Sequence, residues 1–173
     1  AMRCLLVTPP MIQLNTPYPA TAYLTGFLRR HAPEVAPIQA DASLELFLRL
    51  FSAQGVARMA AVLRARAMAR PRDDMPASIA HFLASAERYV ATVEPVVRFL
   101  QRRDPTLALR IVGRNLLPEG PRFEQVDTEH LQEAFGALGT TEQARYLASL
   151  YVDDLADVWR IGIDPRFELA RYG

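Results

Sequence analysis

Along the first fifty positions the apolar residues alternate between two rhythms. Arg3 to Thr8 (R-C-L-L-V-T) is a short apolar run stopped by Pro9-Pro10. Proline cannot continue a hydrogen-bonded ladder, so the run predicts a strand ending at Thr8. A loop with prolines at 17 and 19 follows. Tyr23, Leu24, Phe27 and Leu28 then recur at helical spacing and predict a helix from about Ala20 to His31, ended by Pro33. Val35 to Ala40 (V-A-P-I-Q-A) predicts a second strand, weakened by Pro37. Ser43 is placed to cap a helix whose apolar face is Leu44, Phe47, Leu48 and Phe51. Strand, helix, strand, helix is the opening of a parallel α/β sheet.

Beyond Gln54 the two-residue alternation of a strand does not return. Val56, Met59, Ala60, Leu63 and Ala67 are spaced for one helix. A longer stripe runs from Ile79 through Phe82, Leu83, Ala86, Val90, Val93 and Val97 to Leu100, and Pro95 inside it is expected to kink or split that helix. Asp104-Pro105 reads as an N-cap followed by proline at the first helical position, opening a helix to about Leu117. Pro118 to Phe123 is a loop. Thr128 is placed to cap a short helix ending between Gly136 and Gly139. Thr140-Thr-Glu-Gln143 has capping-box spacing and opens a helix to about Arg160, closed by Gly162 and Pro165. The expectation is a mostly α chain with a small α/β start, a βαβ unit over 1–53 and a helical bundle over 54–173. Two parallel strands are marginal alone. Helices are therefore expected to cover the pair, or a second copy to extend the sheet through its edge as a homodimer.

Composition narrows the classes. The 173 residues are 50% hydrophobic and 23% charged, enough to build a core, and the net charge of +1 argues against a dedicated nucleic-acid binder. Nothing approaches the roughly 18 uninterrupted apolar residues of a membrane span. The first apolar run, Cys4 to Val7, is too short for a secretory signal, so a cytoplasmic location is expected. Ala1 before Met2 reads as an added residue, and the whole as a segment of something longer. Every one of the 20 basic residues is Arg, which excludes a Lys Schiff base or a P-loop lysine. Cys4 is the single cysteine, so neither an intrachain disulfide nor a cysteine-held cluster can form. Residues 1–100 hold 11 Arg against 7 acids and residues 101–173 hold 9 against 12. The densest basic stretch, Arg58, Arg64, Arg66, Arg70 and Arg72, reads as a solvated helix face followed by a loop, with a phosphate- or partner-binding patch as the alternative.

Three groups of residues could carry chemistry. Asp153, Asp154 and Asp157 sit at i, i+1 and i+4, a spacing able to hold Mg²⁺ against a diphosphate, as in the aspartate-rich motif of helical terpene synthases. No second acidic motif accompanies them, and a solvated helix face is the plainer expectation. Of the three histidines, only His130 has close acidic neighbours, Glu129 and Glu133, and a zinc site would need further ligands. Gly-x-Ser-x-Gly, His-Glu-x-x-His and Gly-x-Gly-x-x-Gly are all absent. Cys4 is expected to be a buried, inert thiol, and Trp159 with the Tyr146/Tyr151 pair to pack. The third group is the loop after the first strand. Ligands of open parallel sheets bind beyond the carboxyl ends of the strands. There, Gln13, Asn15, Thr16, Tyr18 and Thr21 supply donors and acceptors on a proline-stiffened backbone.

Leu5-Leu6-Val7-Thr8-Pro9-Pro10, Gln13-Leu-Asn-Thr-Pro-Tyr-Pro19 and Tyr23-Leu-Thr-Gly-Phe-Leu28 resemble the N-terminal region of cobalamin-dependent radical S-adenosylmethionine enzymes. The likeness continues through Gln39-Ala-Asp-Ala-Ser-Leu-Glu-Leu-Phe-Leu48, Leu117-Pro-Glu-Gly-Pro-Arg-Phe123, Tyr151-Val-Asp-Asp-Leu-Ala-Asp157, Asp164-Pro-Arg-Phe167 and Arg171-Tyr172. The resemblance implies that 1–53 is a partial, cobalamin-domain-type Rossmann-like sheet. In the parent enzyme a following barrel would hold a [4Fe–4S] cluster and S-adenosylmethionine. It further implies that the loop from Pro9 to Gly26 forms one wall of a corrin site, with Pro10, Gln13, Asn15, Thr16, Tyr18 and Thr21 as contacts. The barrel's Cys-x-x-x-Cys-x-x-Cys is absent, so this chain cannot cleave S-adenosylmethionine. The Asp-x-His-x-x-Gly of histidine-ligated cobalamin proteins is absent too. The expected role is a cofactor cradle and scaffold, non-catalytic on its own, whose partner is the rest of the parent chain. The readings set against it are a helical interaction module without cofactor and a Mg²⁺-dependent diphosphate enzyme using the three aspartates.

Overall fold

The structure, a computed structural model, describes residues 2–10, 14, 18–69, 75–124, 126 and 139–170. The expected helix after Thr128, together with His130, Arg70 and Arg72, lies outside the described residues. Within them the chain is mostly helical with one two-stranded parallel sheet. It forms two compact units, one of residues 2–49 with 168–170 and one of Leu50–Phe167.

The first unit opens with β1 (Met2–Thr8), α1 (Ala20–His31), β2 (Val35–Asp41) and α2 (Ala42–Leu50). β1 and β2 pair in parallel from Met2 opposite Val35 to Thr8 opposite Asp41. That register puts Cys4 and Leu6 with Val35 and Pro37 on one face, half-buried, and α1 packs against both strands. Cys4 is thus half-buried rather than fully enclosed. The opposite face carries Leu5, Val7 and Ile38, which are 60%, 47% and 47% exposed. A parallel sheet normally has both faces covered; this one has a single face covered among the described residues. The apolar stripes of the two helices follow suit. Tyr23, Leu24 and Phe27 are exposed, and α1 instead buries Thr25, whose Oγ1 donates to the Thr21 carbonyl at 2.7 Å. On α2, Leu44 and Leu48 are exposed while Phe51, just past its end, is fully buried. Ser43 is not the cap of α2: it lies inside the helix, buried, and the Leu44 N–H donates to Asp41 Oδ1 at 2.9 Å. The carboxylate one position before the helix wins because its oxygen reaches the free first-turn amides.

The second unit is built from α3 (Ala53–Met68), α4 (Ala77–Ala84), α5 (Ala86–Leu100), α6 (Leu107–Val112) and α7 (Thr140–Gly162), with a 3-10 turn at Pro121–Phe123. Ser52 caps α3 through the Gly55 N–H at 3.0 Å. Of the expected stripe, Val56, Met59, Ala60 and Leu63 are buried and Ala67 is half-buried. The long stripe breaks at Ser85, not at Pro95, which stays inside an unbroken α5. The carbonyl that Pro95 leaves unbonded belongs to exposed Ala91, where water can satisfy it, so the helix tolerates the ring. α6 ends at Gly113 and is shorter than the expected run to Leu117, because Arg114 takes a left-handed backbone (φ 59°) that no helix continues through. α7 starts on Thr140 itself, after Gly139 at φ 84°, and no side chain caps it, so the capping-box spacing does not form the box. α3 packs on α5, and α4 and α6 on α7. α7 is the central element: Ala144, Leu147, Ala148, Tyr151, Val152, Leu155 and Val158 are all buried. Its last residue, Gly162, is pressed against Leu63, and a Cβ there would come within 2.6 Å of Leu63 Cδ2. The Arg66 guanidinium donates to the Gly162 carbonyl, placing a cation on the negative end of α7. No single described helix is long and apolar enough to cross a membrane.

Candidate functional site

Two places answer to the sequence-derived candidates, one in each unit. In the first, both strands end together, Thr8 opposite Asp41, and Thr8 is buried. Pro9-Pro10 turns the chain away, and the connection enters α1 at Pro19, whose carbonyl accepts from the Tyr23 N–H at 3.0 Å. No side chain caps α1 and no acid lies in its first turn. Pro10 is exposed, Tyr18 is exposed and Thr21 is half-buried. Gln13, Asn15 and Thr16 lie outside the described residues. Pro10 follows β1 by two residues, Tyr18 precedes α1 and Thr21 lies in its first turn.

The second place overturns the expectation for the aspartates. They are not a solvated face. Asp154 is only 4% exposed. Asp154 Oδ1 accepts the Arg122 backbone N–H at 3.1 Å, while Oδ2 is buried with no hydrogen-bond partner. Gly120 lies directly on the carboxyl, and a Cβ at that position would come 2.5 Å from Oδ2. Only glycine permits this approach. Asp157 accepts from Arg122 Nε at 2.8 Å and from Arg160 Nη2 at 2.9 Å. Arg88 Nη2 donates to the Leu117 carbonyl at 3.2 Å. Arg114 grips Glu119, with Nη2 to Oε2 at 2.7 Å, and sits over the Phe123 ring at 5.7 Å. Leu117-Pro-Glu-Gly-Pro-Arg-Phe123 and Tyr151-Val-Asp-Asp-Leu-Ala-Asp157 are therefore two halves of one buried junction. No group of three metal-ligating side chains occurs among the described residues, and Asp154 faces backbone, not an open cavity.

Beneath the junction is an aromatic core. Tyr89 and Tyr151 stack with centroids 5.3 Å apart, and Phe82 meets Tyr89 at the same separation. The Tyr151 hydroxyl lies 2.9 Å from Thr92 Oγ1 and donates to the Tyr89 carbonyl at 3.2 Å. Trp159 is buried as expected, whereas Tyr146 is exposed.

Burial pushes the Asp154 carboxyl up to about 6; the Arg122 and Gly120 amides and the Arg122 charge oppose that without cancelling it. The folded chain holds this proton more tightly than the unfolded chain does. The resulting stabilisation is full below about pH 4 and is lost as the pH rises through about 6. Asp157, by contrast, is a partly exposed ion-pair acceptor. Asp157→Ala is expected to lower stability by no more than about 1 kcal/mol in urea titrations. Mg²⁺ is expected to leave the melting temperature unchanged in wild type and variant alike; a Mg²⁺-dependent rise lost on mutation would restore the diphosphate reading.

No family model, curated protein or solved structure matches the chain.

Proposed function

We propose that this chain is the N-terminal, cobalamin-binding-type scaffold segment of a cytoplasmic radical S-adenosylmethionine enzyme, non-catalytic by itself. The observation that carries the reading is the parallel β1–β2 pair whose carboxyl ends coincide, with the Pro9–Pro19 connection leaving that end to enter α1. This is where open α/β sheets take their ligands. In this reading Pro10, Gln13, Asn15, Thr16, Tyr18 and Thr21 supply one wall of a corrin site. Two further features support it. The sheet has an uncovered apolar face, Leu5, Val7 and Ile38, and it has only two strands among the described residues. Pro37 leaves β2 one donor short, and proline belongs to edge strands. β1 is then the edge on which the parent enzyme adds its remaining strands. The [4Fe–4S] cluster and S-adenosylmethionine belong to the parent alone, since Cys4 is the single cysteine here.

A corrin is large, and affinity follows how fully a ligand is enclosed and how many of its polar groups are satisfied. The 173-residue chain is expected to bind hydroxocobalamin weakly or not at all in an absorbance titration, and the longer parent to bind it tightly. Tight binding by the 173-residue chain would overturn the partial-site argument. Failure of the parent to bind would remove cobalamin from the reading.

A further inference from the structure

We propose that the segment Leu117–Phe123 is a proton-coupled latch on α7, closed when the Asp154 carboxyl is neutral and loosened when it ionises. The proposal rests on the packing of the second unit and is independent of the cobalamin reading. The closed segment buries a carboxyl that it only half satisfies. Oδ1 has the Arg122 amide, the Gly120 amide also faces the carboxyl, and Oδ2 makes no hydrogen bond although the Gly120 backbone is pressed against it. An acid in that place is tolerable when neutral and costly when charged.

The charged and titratable neighbours do not rescue the ion. On α7 itself, Asp157 adds like charge nearby. From the segment, the Arg122 guanidinium is committed to Asp157, and Glu119 is held by Arg114. From α5, Arg88 is committed to the Leu117 carbonyl, and Tyr89 stays neutral because burial and the nearby Asp154 charge push its hydroxyl up. From α4, His81 meets Tyr89 edge-on at 6.4 Å. Among the described residues, Arg88, Arg114 and Arg122 are all held by other acceptors, and none bonds Oδ2. Lifting the segment off α7 lets water reach that oxygen, so release and ionisation are linked. The surrounding pairs, Arg114–Glu119 and Arg122–Asp157, keep the released segment tethered close to its seat.

Amide hydrogen exchange of the 173-residue chain tests this, after correction for the intrinsic pH dependence of exchange. Between pH 4.5 and 7.5 the opening constants at Arg122 and Phe123 are expected to rise roughly tenfold or more. Amides within α7 such as Leu155 should not follow them. Asp154→Asn, a neutral isostere, should abolish the rise. An equal rise in D154N, or a flat profile in wild type, overturns the latch. Should D154N not fold, the ¹³C titration of the Asp154 carboxyl in wild type decides: a midpoint above the ordinary aspartate range supports the proposal, and one within it overturns the proposal.

Discussion

Tyr89→Ala is expected to lower the stability of the helical unit by about 3–5 kcal/mol, the range for deleting a fully buried aromatic side chain. Tyr89 is 2% exposed and is the hub of the aromatic core, touching Phe82, His81 and Tyr151. Removing the ring strips the stacking partner from Tyr151, and helix–helix packing on both sides prevents the cavity from closing. Domains of this size are stable by about 5–15 kcal/mol in total, so the loss is a large fraction of the whole. Tyr151→Phe sets the scale of the polar contribution. It keeps the ring and deletes only the hydroxyl between Thr92 and the Tyr89 carbonyl, and should cost about 1–2 kcal/mol. Urea unfolding followed by circular dichroism measures both. A Tyr89→Ala cost below that of Tyr151→Phe would show that the core is not organised around this stack.

How much of this was legible in the sequence differs between the two units for a physical reason. Where partners lie within the chain, periodicity reads most of the burial: Val56, Met59, Ala60 and Leu63 on α3, and Val93 and Val97 on α5, are in the core, whereas Ala67, Leu83, Val90 and Leu100 of the same stripes are half-buried and Tyr89, outside the stripe, is fully buried. In the first unit, the strands and helices were legible but the buried faces were not. Tyr23, Phe27, Leu44 and Leu48 are spaced for a core that the described residues do not supply. Pro95 misled because a proline's cost depends on whether the freed carbonyl meets water, and at Ala91 it does. Three expected caps fail: Asp104 lies two residues ahead of Thr106, the N-cap of α6, and accepts the Thr106 hydroxyl instead of a helix amide, while Ser43 and Thr140 fail for one shared reason. A side-chain oxygen at the right spacing, Ser43 or Thr140, caps only if its own backbone lies outside the helix, and both lie inside. The closeness of Asp153, Asp154 and Asp157 in sequence suggests one object. Yet Asp154 falls three residues after Tyr151 and four before Val158, on the apolar stripe of α7. That periodicity marks it as the buried member, and Gly120 between two prolines is the complementary signal for a backbone that must come close.

The amides of β1 and β2 are expected to exchange at least about a hundredfold faster than the interior amides of α5 and α7, once intrinsic rates are removed. Protection follows the free energy of the opening that exposes each amide, and two strands covered on one face have little to hold them closed. The ladder from Met2–Val35 to Thr8–Asp41 has α1 packed against it, while Leu5, Val7 and Ile38 on its other face are exposed. The helical amides, by contrast, open only when the aromatic core comes apart. Concentration dependence adds a second test. If a second copy completes the sheet through the β1 edge, protection of β1 and β2 should climb with protein concentration, and gel filtration should reveal a dimer. If the missing cover belongs to the parent enzyme, strand protection should stay low at every concentration here and rise to the helical level in the longer chain. High, concentration-independent protection of β1 and β2 in the 173-residue chain would contradict both. It would mean that the exposed face of Leu5, Val7 and Ile38 is already covered, and the incomplete-sheet argument would fall with it.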